Sequence, residues 1–258
     1  MVKACVLFAA GTNCDAETCH ALELVGARPE RVHVNQLKSG ERSLSEFRLL
    51  VIPGGFSYGD YISSGKILAN ELRHHLAGDI TEFLEQKKPI LGICNGFQVL
   101  VKSGLLPAFG RPFEKQAVTL DANDSGRFED RWVHLQTEPS PCIFTAGLPP
   151  VVELPVAHAE GKFIVNSGRT AATLAERHQV VFRYVSPAGE PAAYPDNPNG
   201  SFEDIAGICD PSGLVFGLMP HPERFTRTEH HPEWHRNRSM KPSGIVLFEN
   251  AIRHCKNL

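Results

Sequence analysis

The chain has 258 residues, of which 42% are hydrophobic and 21% charged, and its formal net charge is −3. This length suffices for a large α/β domain with a buried core, and the small net charge gives no electrostatic reason to expect nucleic acid or an anionic membrane as a partner. No apolar run reaches the length of a membrane span, and no signal-peptide pattern opens the chain. The seven cysteines are odd in number and form no C-x-x-C pair, so we expect reduced thiols and a cytoplasmic protein.

The first half of the sequence alternates short apolar strands with helical patterns. We predict strands at 4–8, 31–34 and 49–52, and helices at 15–25, 65–75 and 79–86. Either Asn13 or Asp15 is predicted to cap the first helix. This alternation is typical of the α/β class, with a mainly parallel open sheet and helices on both faces.

A glycine-rich loop, PGGFSYGDY at 53–61, follows the third predicted strand. Ligands bind at the carboxyl ends of strands in open α/β sheets. The pair Gly54-Gly55 could present unhindered backbone N–H groups to a developing oxyanion. Taken alone, the loop could equally be an ordinary turn.

The stretch KPILGICNGFQVLVK at 88–102 combines a short buried strand with a helix that begins at Asn95 and stops near Gly104. Between them, Gly92-Ile93-Cys94-Asn95-Gly96 fits the G-x-nucleophile-x-G form of a nucleophile elbow. Side chains at the two glycines would collide with neighbouring backbone. The turn would place the Cys94 sulfur at a helix N-terminus, which favours a thiolate. The alternative is a buried core cysteine before an ordinary loop.

In the second half the helical periodicity weakens and strands follow one another. We predict strands at 118–121, 132–137, 151–156 and 180–184, a hairpin of 205–209 with 215–218, and a final helix at 243–255. These strands predict an antiparallel edge region. No linker-like stretch divides the sequence, so a single domain is expected over residues 1–258.

His221 and Glu223 lie two residues apart directly after the strand predicted at 215–218. In an extended segment residues i and i+2 point the same way, so the carboxylate can orient and charge-stabilise the imidazole. A lone His-Pro-Glu is weak evidence, since His221 could be a surface histidine. Together with an elbow cysteine and a donor loop, however, it predicts a Cys94–His221–Glu223 triad.

Two further features have ordinary explanations. The run HHPEWH at 230–235 lacks the H-E-x-x-H spacing of a zinc site, so we expect a solvated loop and no metal. Arg127 and Arg131 could meet a phosphate or an acidic partner, but surface arginines usually only stay hydrated.

Five collinear motifs resemble a known family. They are PGGFSYGDY at 53–61, CNGFQ at 94–98, AHAEG at 157–161, NPNGS at 197–201 and MPHPER at 219–224. The chain resembles the class I (triad) glutamine amidotransferases, and among them the glutaminase subunits of purine biosynthesis. The resemblance implies a flavodoxin-like sheet.

The resemblance also implies roles for residues. Cys94 would be the nucleophile, His221 the base and Glu223 the group that orients it, while Gly55 and the backbone N–H of Asn95 would form the oxyanion hole. The glutamine pocket would include the following residues: Gly54, Phe56, Gln98 and His158.

The activity implied is hydrolysis of glutamine to glutamate and ammonia through a γ-glutamyl thioester. The ammonia would pass to a partner synthetase, with room for a small accessory subunit in the complex. No cofactor is implied in this chain, since ATP and Mg²⁺ would bind to the synthetase. The sequence departs from the family pattern at Ser63, Ser64, Asp130 and Ala159. A cysteine peptidase on a related α/β fold and a non-catalytic regulatory subunit are the alternatives.

Overall fold

The computed structural model describes residues 1–236 and 240–258. The strands within these ranges are β1 (Lys3–Phe8), β2 (Arg28–His33), β3 (Leu49–Ile52), β4 (Ile90–Ile93), β5 (Val118–Asp121), β6 (Glu129–Thr137), β7 (Val151–His158), β8 (Lys162–Val165), β9 (Val180–Val185), β10 (Ile205–Cys209) and β11 (Val215–Leu218). The α-helices there are α1 (Asp15–Leu24), α2 (Val34–Lys38), α3 (Lys66–His75), α4 (Ala77–Glu85), α5 (Asn95–Ser103), α6 (Gly168–Glu176) and α7 (Ser243–Lys256).

Nine strands form one sheet in the order β2-β1-β3-β4-β11-β10-β9-β6-β7, and β5 pairs with β8 in a small second sheet. The pairs from β2 to β11 are parallel, whereas β11 to β7 pair antiparallel. The predicted α/β class, with a parallel sheet and an antiparallel edge region, is therefore confirmed. The antiparallel region is wider than an edge, because it extends over the four strands β10, β9, β6 and β7.

The central strands are buried on both faces. Every residue of β3, β4, β10 and β11 is buried, as expected for strands covered by helices above and below. Helix α5 is also buried over its whole length, because it lies against β3, β4, β5, β11 and α3. The turn from β4 to α5 therefore lies between fully buried elements.

Two α-helices and one strand of the structure were not predicted from the sequence: α2, α6 and β8. Strand β2 ends at His33 rather than at residue 34, and Val34 instead begins α2, whose first turn is capped by the His33 side chain, which accepts from Asn35 N (3.2 Å). Strand β8 has only four residues, and it pairs with β5, which is distant in sequence.

The predicted cap of α1 was wrong. Cys14 occupies the N-cap position and makes no side-chain capping bond. Asp15 instead forms an ion pair with Arg31 (2.5 Å), and the Asn13 amide oxygen accepts from the Cys14 thiol (3.4 Å).

Among the helices in the described ranges, none combines the length and the apolar character that a membrane span requires.

Candidate active site

Cys94 lies at the sharp turn between β4 and α5. Its backbone has φ 49° and ψ −104°, a conformation that costs energy for a non-glycine residue and is typical of a nucleophile elbow. Its N–H donates to the carbonyl of Leu218 at the end of the neighbouring strand β11 (2.8 Å). The neighbouring strand therefore fixes the turn that presents the sulfur.

Gly92 and Gly96 must be glycines for the reason predicted from the sequence, which is that a side chain at either position would collide with backbone. A Cβ at Gly92 would lie 2.7 Å from the carbonyl oxygen of Gly96. A Cβ at Gly96 would overlap the carbonyl oxygen of Ile52 in β3. The close approach of α5 to the sheet thus excludes any side chain at these two positions.

We expect Gly96→Ala to destabilise the protein by more than about 3 kcal/mol, because the overlap is with backbone, which cannot rotate away. The free energy of unfolding in urea measures the effect. Gly78→Ala in α4 is the matched control, since a Cβ there meets nothing within 4 Å. It should change stability by less than about 1 kcal/mol, in the stabilising direction. Equal effects of the two substitutions would contradict the packing argument.

His221 and Glu223 form a buried pair beyond the end of β11. Glu223 Oε1 lies 2.6 Å from His221 Nδ1, and both side chains are almost fully buried. The predicted reason for this proximity was wrong, because Glu223 lies in the 3₁₀ turn Pro222–Arg224 and not in an extended segment. The turn brings the carboxylate back to the ring. Since Nδ1 faces Glu223, Nε2 points the other way, and it has no hydrogen-bond partner among the described residues.

The charge state of His221 is set by opposing effects. Burial alone would lower the pKa of the imidazole, but the charge of Glu223 and then that of Cys94 outweigh it, so the pKa lies well above its ordinary value. The Cys94 thiol itself donates to the carbonyl of Ala157 (3.7 Å). The arrangement can therefore hold an imidazolium between a carboxylate and a thiolate.

Residues 53–65, which begin with the glycine-rich stretch 53–61, are called the glycine loop below. Side chains of α5 hold this loop at two points. The Asn95 side chain accepts from Ser57 N (3.3 Å) and donates to Asp60 Oδ1 (3.1 Å). Further along α5, the Lys102 ammonium donates to Ser63 Oγ (3.0 Å) and to the carbonyl of Ser64 (2.6 Å). Burial lowers the pKa of Lys102. No motif in the sequence predicts these two attachments.

Gly55 and Asn95 provide the backbone groups that the sequence suggested as oxyanion donors. Gly55 has φ 134°, and a Cβ there would lie 2.6 Å from Asn13 N, so glycine is required for two reasons. Asn95 is the first residue of α5, so its N–H has no acceptor within the helix. The Asn95 N–H is therefore available to a substrate oxygen.

A cavity of about 240 Å³ lies beside the nucleophile. Its lining includes most of the residues predicted from the sequence: Gly55, Phe56, Cys94, Gln98, His158 and His221. Gly54, in contrast, lies behind the imidazole, where a Cβ would be 2.8 Å from His221 Cε1 and 3.1 Å from Cys14 Sγ. A larger cavity of about 580 Å³ beside Tyr194 and Arg127 contains none of the predicted catalytic residues.

Gln98 and His158 are held rigidly at the cavity wall. The Gln98 amide donates to the carbonyl of Glu160 (2.5 Å) and accepts from Asn95 (2.9 Å). His158 Nδ1 lies 3.1 Å from Asn123 Oδ1, an acceptor, so Nδ1 carries the ring proton. Burial lowers the pKa of His158 to about 3, which keeps the ring neutral.

Sequence reasoning missed several residues that line the same cavity. They are Cys14, Asp60, Ser64, Asp130, Glu160 and Arg224. Cys14 follows the carboxyl end of β1, and the rule that ligands bind at strand ends could have identified it. Ser64 and Asp130 are two of the positions where the sequence departs from the family pattern.

Arg131 and His231, two of the other residues weighed from the sequence, have structural partners. Arg131 pairs with Glu129, and its guanidinium lies 5.1 Å from the centre of the Tyr194 ring. In the run HHPEWH, His231 lies 3.1 Å from a carboxylate oxygen of Glu153 and packs edge-on against Trp132. A structural role explains both, and the absence of a metal in that run stays a prediction.

Comparisons with known proteins agree with the motifs. A family model for the CobB/CobQ-like glutamine amidotransferase domain matches residues 1–255. Phosphoribosylformylglycinamidine synthase subunit PurQ of Dehalococcoides mccartyi is 43% identical over 259 residues, covering 100% of this chain and 99% of the relative. The subunit of the same name from Archaeoglobus fulgidus is 48% identical over 236 residues, covering 86% and 87%.

A solved structure supports the same family assignment. A chain in the structure of PurLQS from Thermotoga maritima is 33% identical, with a TM-score of 0.75, and the match covers 98% of this chain and 99% of that one. The chain therefore belongs to the CobB/CobQ-like glutamine amidotransferase domain family and, within it, to the family of phosphoribosylformylglycinamidine synthase subunit PurQ.

Proposed function

We propose that this chain is the glutaminase subunit of a phosphoribosylformylglycinamidine synthase. It hydrolyses glutamine to glutamate and ammonia, and a partner synthetase uses the ammonia and ATP to convert formylglycinamide ribonucleotide into the amidine. The observation that carries the proposal is that Cys94 and His221 line one cavity, while Nδ1 of His221 lies 2.6 Å from Glu223. Relatives named as subunits of this synthase support the choice of acceptor.

The chemistry follows from the positions of these groups. The Cys94 thiolate attacks the side-chain amide carbon of glutamine, and the backbone N–H groups of Gly55 and Asn95 hold the oxyanion that forms. The His221 imidazolium gives its proton to the departing ammonia. Neutral His221 then activates the water that hydrolyses the γ-glutamyl thioester, while Glu223 keeps the ring in the required orientation.

Further parts of the proposal concern the chain as a whole. One glutamine amidotransferase domain accounts for residues 1–258, and the protein acts in the cytoplasm. It needs no cofactor or metal for glutamine hydrolysis, and ATP and Mg²⁺ bind to the synthetase. The family match over residues 1–255 supports the single domain.

The test of the proposed function is ammonia release from glutamine by the purified chain, measured alone and with the synthetase. Glutamate and ammonia should appear in equal amounts, and casein should remain intact. Cleavage of casein without ammonia release from glutamine would favour a cysteine peptidase instead.

We expect the synthetase, ATP and formylglycinamide ribonucleotide together to stimulate glutamine hydrolysis at least about tenfold, a coupling of roughly 1.4 kcal/mol. Hydrolysis without an acceptor would waste glutamine, so a site completed by the partner is the expected form of control. The glycine loop is the element that the partner would rearrange, since it holds backbone strain at the positive-φ residues Tyr58, Asp60 and Ile62. Equal steady-state rates with and without the partner would exclude this form of control.

A further inference from the structure

We propose that Cys14, Glu17, His221 and Glu223 form a zinc-binding site that competes with catalysis. Each of the four residues offers one ligand atom, and these atoms all lie within 4.8 Å of one another. One thiol, one imidazole and two carboxylates are ligands that suit the borderline-soft Zn²⁺ ion. We call this group of four residues the thiol–imidazole cluster.

Two local structures bring the thiol–imidazole cluster together. Cys14 occupies the N-cap position of α1 and Glu17 lies in its first turn, so the two residues are three apart on the same helix face. His221 and Glu223 are joined by the 3₁₀ turn Pro222–Arg224, which packs against α1. The site is therefore built from two rigid elements that are distant in sequence, which explains why no ligand spacing was visible in the sequence.

The second observation is that a buried ligand atom in the cluster lacks a partner. Glu223 Oε2 is buried without a hydrogen bond to any described residue, it belongs to the carboxylate that faces Nδ1 of His221, and both side chains are almost completely buried. Unsatisfied groups of this kind are rare in native structures. Zinc bonds of about 2.0–2.3 Å place tetrahedral ligands up to roughly 4 Å apart, so the four side chains need only a small adjustment.

The cluster already attracts positive charge. The guanidinium of Arg224 lies 3.3 Å from Cys14 Sγ through Nη2 and 2.9 Å from Glu17 Oε1 through Nε. Its side chain and that of Glu17 are each more than a third exposed, so the pair can separate into water at little cost. A zinc ion would replace the arginine as the cation that faces the thiol and the carboxylates.

The ion has a path to the cluster and a clear effect once there. Cys14, His221 and Arg224 all line the cavity that contains Cys94, so the cluster is reached from the substrate side. An ion bound to the imidazole removes the proton carrier of the reaction. This consequence rests on the proposed function, whereas zinc binding itself does not.

The test is titration of the purified full chain with Zn²⁺ against a chromophoric chelator, and with Co²⁺ to detect thiolate-to-metal charge-transfer absorption. We expect one ion per chain, with charge-transfer absorption. Cys14→Ser should abolish that absorption and weaken Zn²⁺ binding at least about 100-fold, and Glu17→Gln should weaken it about tenfold. Zn²⁺ should inhibit glutamine-dependent synthesis by the complex and spare ammonia-dependent synthesis.

The matched control is Cys94→Ser, which removes the other thiol that lines the same cavity as His221. If Zn²⁺ instead binds the catalytic pair, Cys94→Ser will abolish binding and Cys14→Ser will leave it unchanged, and the proposed site is then wrong. Absence of binding to the wild-type chain would also overturn it. Glu17→Gln, on the half-exposed side of the cluster, keeps the test decisive if Cys14→Ser does not fold. Failure of the glutaminase assay alone would contradict the proposed function and leave the binding result intact.

Discussion

Replacement of Cys94 by alanine is expected to abolish glutamine-dependent synthesis by the complex, with a loss of more than about 1,000-fold. Ammonia-dependent synthesis should remain nearly intact, because the thiol serves only to release ammonia and added ammonia bypasses that step. The measurement is product formation by the reconstituted complex with glutamine or with an ammonium salt as the nitrogen source.

Cys19→Ala is the matched control for this experiment. Cys19 is another free cysteine, half-buried in α1 and outside the cavity lining, so its removal should leave both activities within about twofold. If Cys94→Ala kept glutamine-dependent turnover within tenfold of wild type, Cys94 would not be the nucleophile. Loss of both activities together would instead indicate that the complex no longer assembles.

Glu223→Gln should lower the turnover number for glutamine hydrolysis by at least about 100-fold and change the Michaelis constant by less than about threefold. An amide can still hydrogen-bond His221, but it can stabilise the wrong tautomer and supplies no charge to the imidazolium. Steady-state kinetics of the complex separate the two constants.

The control for this change is Glu153→Gln, which alters a second His–Glu contact, the one between Glu153 and His231 (3.1 Å). That contact lies outside the cavity with Cys94, so its loss should leave turnover nearly unchanged. A raised Michaelis constant with normal turnover in Glu223→Gln would make Glu223 a pocket residue rather than the group that orients the base.

The same carboxylate should make stability depend on pH. The pKa of His221 is raised in the folded protein, so the folded state binds the proton more tightly than the unfolded state does. The resulting stabilisation is fully present below the ordinary histidine pKa of about 6.5 and is lost as the pH rises through the raised value. Urea unfolding from about pH 6 upward should therefore show a decline in wild type that is weaker in Glu223→Gln.

Much of the site followed from local sequence, because a nucleophile elbow depends on neighbours that are close along the chain. Gly92 and Gly96 flank Cys94, and the structure places backbone where their side chains would be. The histidine was predictable as a residue just after a strand. The two strands β4 and β11 pair in parallel, which brings their carboxyl ends, and with them Cys94 and His221, to the same edge of the sheet.

The parts that could not be predicted depend on contacts between distant segments. Nothing near Cys14 in the sequence indicates that its sulfur lies 3.3 Å from the guanidinium of Arg224. The short helix α2 was also missed, since its first residue, Val34, reads equally well as the end of a strand. Glu223 was placed correctly beside His221 for the wrong reason, because prolines on both sides of the histidine suggested an extended chain rather than a turn.

The fastening of the glycine loop to α5 has a mechanical consequence. Asn95 supplies one proposed oxyanion donor through its backbone, and through its side chain it holds the loop that contains the other, Gly55. Lys102 grips the far end of the same loop from a helix that is buried along its entire length. The positions of the two donors are therefore coupled, because a partner that shifts the loop also strains the first turn of α5. Hydrogen exchange at the backbone amides of Ser57 and Ser64 would report whether the oxyanion hole is assembled.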